Sequence, residues 1–191
     1  MTGIEIRSAE LESEVNGNTL SGYASVFGTY ADLGSYVETF APTAFDATLQ
    51  NPASDVRAYY QHDSKMLLGR QSSGTLKVWT DTRGLGYEIE LPKTSYADDV
   101  RELADRGDLG GMSIGFRPNP DGETWGRLGN RELRTHTSVL ALIEVSPVSI
   151  PAYGSTTVQL RSLDHITQPA IDGRTQLFRA RFAARYRKGN L

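Results

Sequence analysis

Leu76-Lys77-Val78-Trp79-Thr80, then Arg83-Gly84, then Tyr87-Glu88-Ile89-Glu90-Leu91 form the stretch on which the fold reading turns. The first five residues carry β-branched and aromatic side chains, and the last five alternate apolar with polar. That alternation is the period of a strand with one face buried. Arg83-Gly84 supplies the reversal between them, because glycine tolerates the positive φ that tight turns use. Outward from this hairpin, Ile4-Glu5-Ile6-Arg7 alternates in the same way, and Thr19 to Phe27 and Asp55 to Tyr60 have strand-like content. Gly17-Asn18 and Ser73-Gly74 mark further turns. Short strands at this spacing, with little helix between them, predict an α+β, mainly β fold: an antiparallel, closed or partly closed β-barrel flanked by a few helices.

Two helices interrupt the strands. Pro42 to Leu49 reads as a short one, with Pro42 in its first turn and Phe45 and Leu49 on one face. Tyr96 to Arg106 is the clearer case. Ser95 is its expected N-cap, Asp98 completes a capping box, and Gly107 offers the C-terminal stop. This helix leads into Gly110-Gly111-Met112-Ser113-Ile114-Gly115-Phe116, which reads as a strand. Residues 118 to 131 are rich in proline and glycine and predict a loop or open hairpin, and Thr135 to Ile150 is the longest strand-like run.

The chain has 191 residues, 38% hydrophobic and 23% charged, with a formal net charge of -3. That suits one folded domain over residues 1–160, with a basic C-terminal tail over 161–191. The tail holds seven basic residues (Arg161, Arg174, Arg179, Arg181, Arg185, Arg187, Lys188) against two acidic ones (Asp164, Asp172). Leu177, Phe178, Phe182 and Tyr186 recur there at helical spacing, so Thr175 to Lys188 is a candidate basic amphipathic helix. The overall negative charge gives no general attraction to nucleic acid or anionic membrane. No apolar run approaches the roughly 18 residues needed to span a bilayer. The first fourteen residues, MTGIEIRSAELESE, lack the basic start and apolar centre of a signal peptide. The expectation is a soluble intracellular protein.

There is no cysteine, which excludes disulfides, thiolate nucleophiles and Cys-based zinc sites. Three scattered histidines (His62, His136, His165) argue against a structural metal site, and no phosphate-binding loop or His-Glu-x-x-His pair occurs. No cofactor is expected. Ser113 lies between Gly111 and Gly115, where missing side chains let a substrate backbone approach. A serine in a glycine-rich string is ordinary by itself. His62, at the end of a strand, offers an imidazole, the natural base for a hydroxyl near neutral pH. Asp63, its chain neighbour, points the other way on a strand and is a poor partner. The third member is either Glu144 or His136. Glu144 interrupts the apolar run Leu140-Ala141-Leu142-Ile143-Glu144-Val145-Ser146, and a buried carboxylate bonded to an imidazole N–H would be satisfied there. His136, between Thr135 and Thr137, sits in a polar stretch.

Five segments in order resemble the tailed-phage prohead (capsid maturation) serine proteases. They are Leu20 to Phe27, Phe40 to Phe45, Tyr60 to Asp63, Gly107 to Phe116, and Leu142 to Ala152. The resemblance implies a fold like that of the herpesvirus assembly proteases, with His62 and Ser113 matching the family's histidine and serine. Those relatives use a second histidine as third member; here Glu144 holds the similar-looking strand position and is preferred to His136. Ala152 and Tyr153, just after Pro151, are the expected oxyanion and substrate loop. The resemblance also implies self-cleavage, and as partners scaffold and major capsid protein, cut inside the immature capsid in the host bacterial cytoplasm. It adds a possible homodimer, and requires neither nucleic acid nor membrane. The competing reading is a catalytically silent scaffold-binding capsid assembly module.

Overall fold

A computed structural model describes residues 3–10 and 13–149 of the chain. Along the sequence the first elements are β1 (Glu5–Glu10), β2 (Ser13–Asn16), β3 (Thr19–Val26), β4 (Ala31–Asp32) and β5 (Val37–Phe40). Then follow α1 (Asp46–Gln50), β6 (Arg57–Tyr59), β7 (Leu67–Arg70), β8 (Leu76–Thr80), β9 (Gly84–Glu90) and α2 (Ser95–Arg106). The last are β10 (Gly111–Pro118), β11 (Glu123–Leu128), β12 (Arg131–His136) and β13 (Val139–Val148). The fold is mainly β, as the strand and turn pattern predicts.

These strands form three open sheets among the described residues, in the orders β1-β10-β13-β6-β7, β11-β12-β5-β4 and β2-β3-β9-β8. The expected antiparallel closed barrel is therefore corrected in two respects. No pairing joins the end strands of any sheet into a ring, and β12 pairs with β5, and β13 with β6, in parallel. Turn residues report only the hairpins they make. A parallel pair needs a long crossover, and such pairings leave no local signature.

The decisive hairpin forms, but not through a positive φ at Gly84, which is the first residue of β9; the turn is closed by the Asp81 carboxylate, which accepts from the Arg83 and Gly84 N–H groups at 2.7 and 3.1 Å. Leu76 pairs with Ile89 and Thr80 with Leu85, and Leu76, Leu85, Tyr87 and Ile89 are all buried in the core. Full burial of such a side chain contributes about 1.5–3 kcal/mol. The helix over 95–106 also forms, and Gly107 ends it in the left-handed conformation at φ 80°. The capping box does not. Thr94 is the N-cap, in extended backbone and without a side-chain cap bond, and Asp98 pairs instead with Arg101 at 2.9 Å. The first predicted helix is displaced. Residues 41 to 46 make two successive turns, closed by Ala44 N–H to Ala41 O and Asp46 N–H to Thr43 O, so the helix starts only at Asp46. The long run over 135–150 divides into β12 and β13. Thr137 and Ser138 both turn their N–H groups to the Gly122 carbonyl, at 2.8 and 3.2 Å, and leave the ladder.

Charged side chains join β1 to the β11-β12-β5 sheet. Glu38 is buried and accepts from Arg7, from Arg134 at 3.0 Å and from His136 Nε2 at 3.0 Å. Arg134 also holds Glu5, at 3.1 Å, and Glu123. Burial alone would push the Glu38 carboxyl up; the hydrogen bonds from His136 and Arg7 outweigh it and hold the group at about 2. The expected tail over 161–191, with its candidate helix, lies outside the described residues.

Candidate active site

β10 runs through the middle of its sheet between β1 and β13, and Gly111 to Phe116 are buried throughout. Its two faces differ. Met112, Ile114 and Phe116 belong to the hydrophobic core. Ser113 projects to the opposite face, because successive strand residues alternate. There it is paired in register with Ser8 on β1 and Ser146 on β13, while Gly115 faces Glu144. Residues opposite one another in an antiparallel ladder share a face. Ser8, Ser113, Glu144 and Ser146 thus form a buried polar group on one side of the sheet.

His62 reaches this face from the turn after β6. β6 pairs with β13 at Arg57–Glu144 and Ala58–Val145, so the chain leaving β6 passes beside Glu144. The turn is held by Asp63 N–H to Tyr60 O, Met66 N–H to Asp63 O and Tyr60 N–H to Met66 O. Gln61 Nε2 also donates to Ser149 Oγ at 2.7 Å. Two consecutive non-glycine residues, Gln61 at φ 55° and His62 at φ 62°, take the left-handed conformation, at roughly 1–2 kcal/mol each. Strain of this kind gathers at functional sites, where the surroundings over-determine the backbone.

The strained turn delivers His62 Nδ1 to 2.6 Å from Glu144 Oε1. A carboxylate only accepts, so Nδ1 carries a proton, and in the neutral ring the lone pair then lies on Nε2. That is the tautomer of a general base. Nε2 itself is shielded from solvent and has no hydrogen-bond partner, and an unsatisfied buried atom at such a place calls for a functional reason. The His62 and Glu144 side chains are 24% and 11% exposed, so the pair sits at the rim of the protein with its carboxylate inward.

Ser113 is not joined to His62. Its hydroxyl donates to the Arg7 carbonyl at 3.2 Å and accepts from Ser8 Oγ at 2.8 Å. Of the other expected site residues, Gly115 makes room not for substrate but for Glu144: a Cβ there would lie 2.7 Å from Glu144 Cγ. Gly111 lies opposite Val148, at the far end of the same ladder. His136 is fully buried in another sheet, stacked on Phe40 at 4.9 Å and bonded to Glu38. Asp63 caps its own turn by accepting from Lys65 N–H at 2.9 Å; His62 stands in a turn after β6 and not on a strand, so the strand alternation expected to part the two does not apply. Ala152 and Tyr153 lie outside the described residues.

Sequence reading missed Ser8 and Ser146. Ser146 stands two residues after Glu144, a spacing that places both on one strand face, so a signal for it existed. Nothing local marks Ser8. Glu5, Glu38 and His136 bring ligand atoms within 4.8 Å of one another, yet Arg7 and Arg134 already supply the positive charge that Glu38 requires.

No curated protein and no solved structure matches the chain. The family model of the caudovirus prohead serine proteases matches residues 3–169, a span that takes in the strained histidine turn, the Ser113 strand and the Glu144 strand. The chain belongs to that family of serine proteases.

Proposed function

We propose that this capsid maturation protease works through Ser113 as nucleophile, His62 as base and Glu144 as the group that orients the base. The observation that carries the reading is the 2.6 Å contact between His62 Nδ1 and Glu144 Oε1, which leaves Nε2 as a lone-pair acceptor. Ser113 stands on the same sheet face as Glu144, two residues along the neighbouring strand from Gly115, the partner of Glu144. In the reaction its hydroxyl turns from Arg7 O and Ser8 to His62 Nε2. The base then takes the proton as the oxygen attacks a peptide carbonyl, and water later releases the acyl group. Backbone N–H groups at Ala152 and Tyr153 are the proposed oxyanion donors, each worth about 2.7–4 kcal/mol by the usual effect of removing one.

The proposed substrates are scaffold and capsid-protein extensions inside the immature shell, together with the protease's own basic tail over 161–191, which serves for docking or is removed. A homodimer is part of the proposal, testable by sedimentation. The experiment for the mechanism is labelling with a fluorophosphonate, read by peptide mapping. Label on Ser113 in the wild type, lost in Ser113→Ala and His62→Ala, is the expected result. Label elsewhere overturns the assignment. Wild-type protein should also shorten from its C-terminus while Ser113→Ala stays intact; equal shortening of both excludes self-processing by Ser113.

A further inference from the structure

Glu144 has two carboxylate oxygens, and only one of them faces His62. Oε1 accepts from Nδ1, while Oε2 accepts from the Ser146 hydroxyl at 3.3 Å. Ser146 is fully buried, on the same face of β13 as Glu144 and in register with Ser113. A hydroxyl has one proton to donate, and this one is committed to the carboxylate. The opposite wall is Gly115, whose missing side chain gives Glu144 Cγ and Oε1 their space. The carboxylate is thus held at three points: the imidazole, the glycine gap and the Ser146 hydroxyl.

We propose that Ser146 is a positioning residue, which anchors Glu144 Oε2 so that Oε1 stays against His62 Nδ1. Without that anchor a carboxylate has a free torsion, and its second oxygen is left buried without a donor. The ring then loses the acceptor that selects its tautomer. The Ser146 hydroxyl bonds to Glu144 and to neither His62 nor Ser113, so it acts through Glu144. The inference rests on the Ser113–His62–Glu144 reading for its effect on rate, but the contact between Glu144 and His62 can be followed directly.

The test uses the full chain and two readouts. One is the low-field proton resonance of His62 Nδ1–H, assigned by its loss in Glu144→Gln. The other is the rate of fluorophosphonate labelling. In Ser146→Ala the low-field resonance should broaden or vanish, and labelling should slow about tenfold with the label still on Ser113, the scale of a weakened general base. Ser146→Thr, which keeps the hydroxyl, should recover most of both. Ser146→Ala with an undisturbed resonance and wild-type labelling overturns the inference, and so does a Thr variant no better than Ala, which would assign the effect to packing. Label found on Ser146 would make it a nucleophile and overturn it too. Failure of the wild type to label at all would sink the Ser113 mechanism instead, while the resonance would still report on the anchor.

Discussion

Gly115 and Glu144 face each other across the β10–β13 ladder so closely that the glycine's missing Cβ is the carboxylate's space. Gly115→Ala therefore places a methyl 2.7 Å from Glu144 Cγ and 3.0 Å from Oε1. Overpacking of a tight site costs about 1–3 kcal/mol, and displacement of the carboxylate from His62 adds a loss of rate. Urea unfolding should show that loss of stability, and labelling by a serine-directed probe should slow at least tenfold. An alanine variant as fast and as stable as wild type would mean that Glu144 has another place to sit.

Glu144→Gln keeps the shape but offers Nδ1 an amide that can donate. In a triad, the matching exchange favours the wrong imidazole tautomer and costs about 10⁴ in kcat. A loss on that order in acylation rate, with unchanged thermal stability, is the outcome expected here. His136→Leu should behave in the opposite way. It removes the bond to Glu38 and the ring stacked on Phe40, so the protein loses stability while each folded molecule still labels. Comparable rate losses in both variants would restore His136 as a candidate third member.

The rate should fall as the solution is made acid, because a protonated imidazole has no lone pair to receive the serine proton. Labelling rates followed from pH 8 downward test this, and a flat profile through about pH 5 would exclude a neutral histidine base.

Acid should also unfold the protein, through Glu38. Its folded-state value of about 2 lies below the ordinary 4.5, so the stability it contributes is in place above about 4.5. That contribution drains away as pH falls from there toward 2. Glu38→Gln should flatten this part of the stability profile. It should also lower stability at pH 7 by about 3–5 kcal/mol, the usual result of leaving a buried ion pair without one partner. Chemical unfolding at pH 7 and pH 3, in both proteins, measures each effect. A variant with the same pH slope as wild type would place the acid lability elsewhere.

Much of the site is legible in the chain, for reasons that differ by residue. Ser113, His62 and Glu144 stand out because a hydroxyl among glycines, an imidazole at a strand end and a carboxylate in an apolar run are each locally odd. Gly107 is legible because only the helix stop requires its left-handed backbone. Ser8 is invisible, since nothing near it differs from an ordinary strand serine. The left-handed backbone of Gln61 and His62 is equally hidden, because neither residue type advertises a positive φ.

By itself the sequence determined the strand-and-turn order, the second helix and the absence of thiol chemistry, and it offered the residues of the proposed site as candidates. All of these are encoded within a few residues, by side-chain period, backbone tolerance and functional-group identity. The tertiary structure alone decided that the sheets stay open, that two of their pairings are parallel, and that His62 meets Glu144 rather than His136. It also decided that the resting Ser113 hydroxyl bonds to β1. The physical reason is distance along the chain. His62 and Glu144 are 82 residues apart, and Ser8 and Ser113 are 105. Contacts of that kind depend on which strands pair and in what register, which no local pattern specifies.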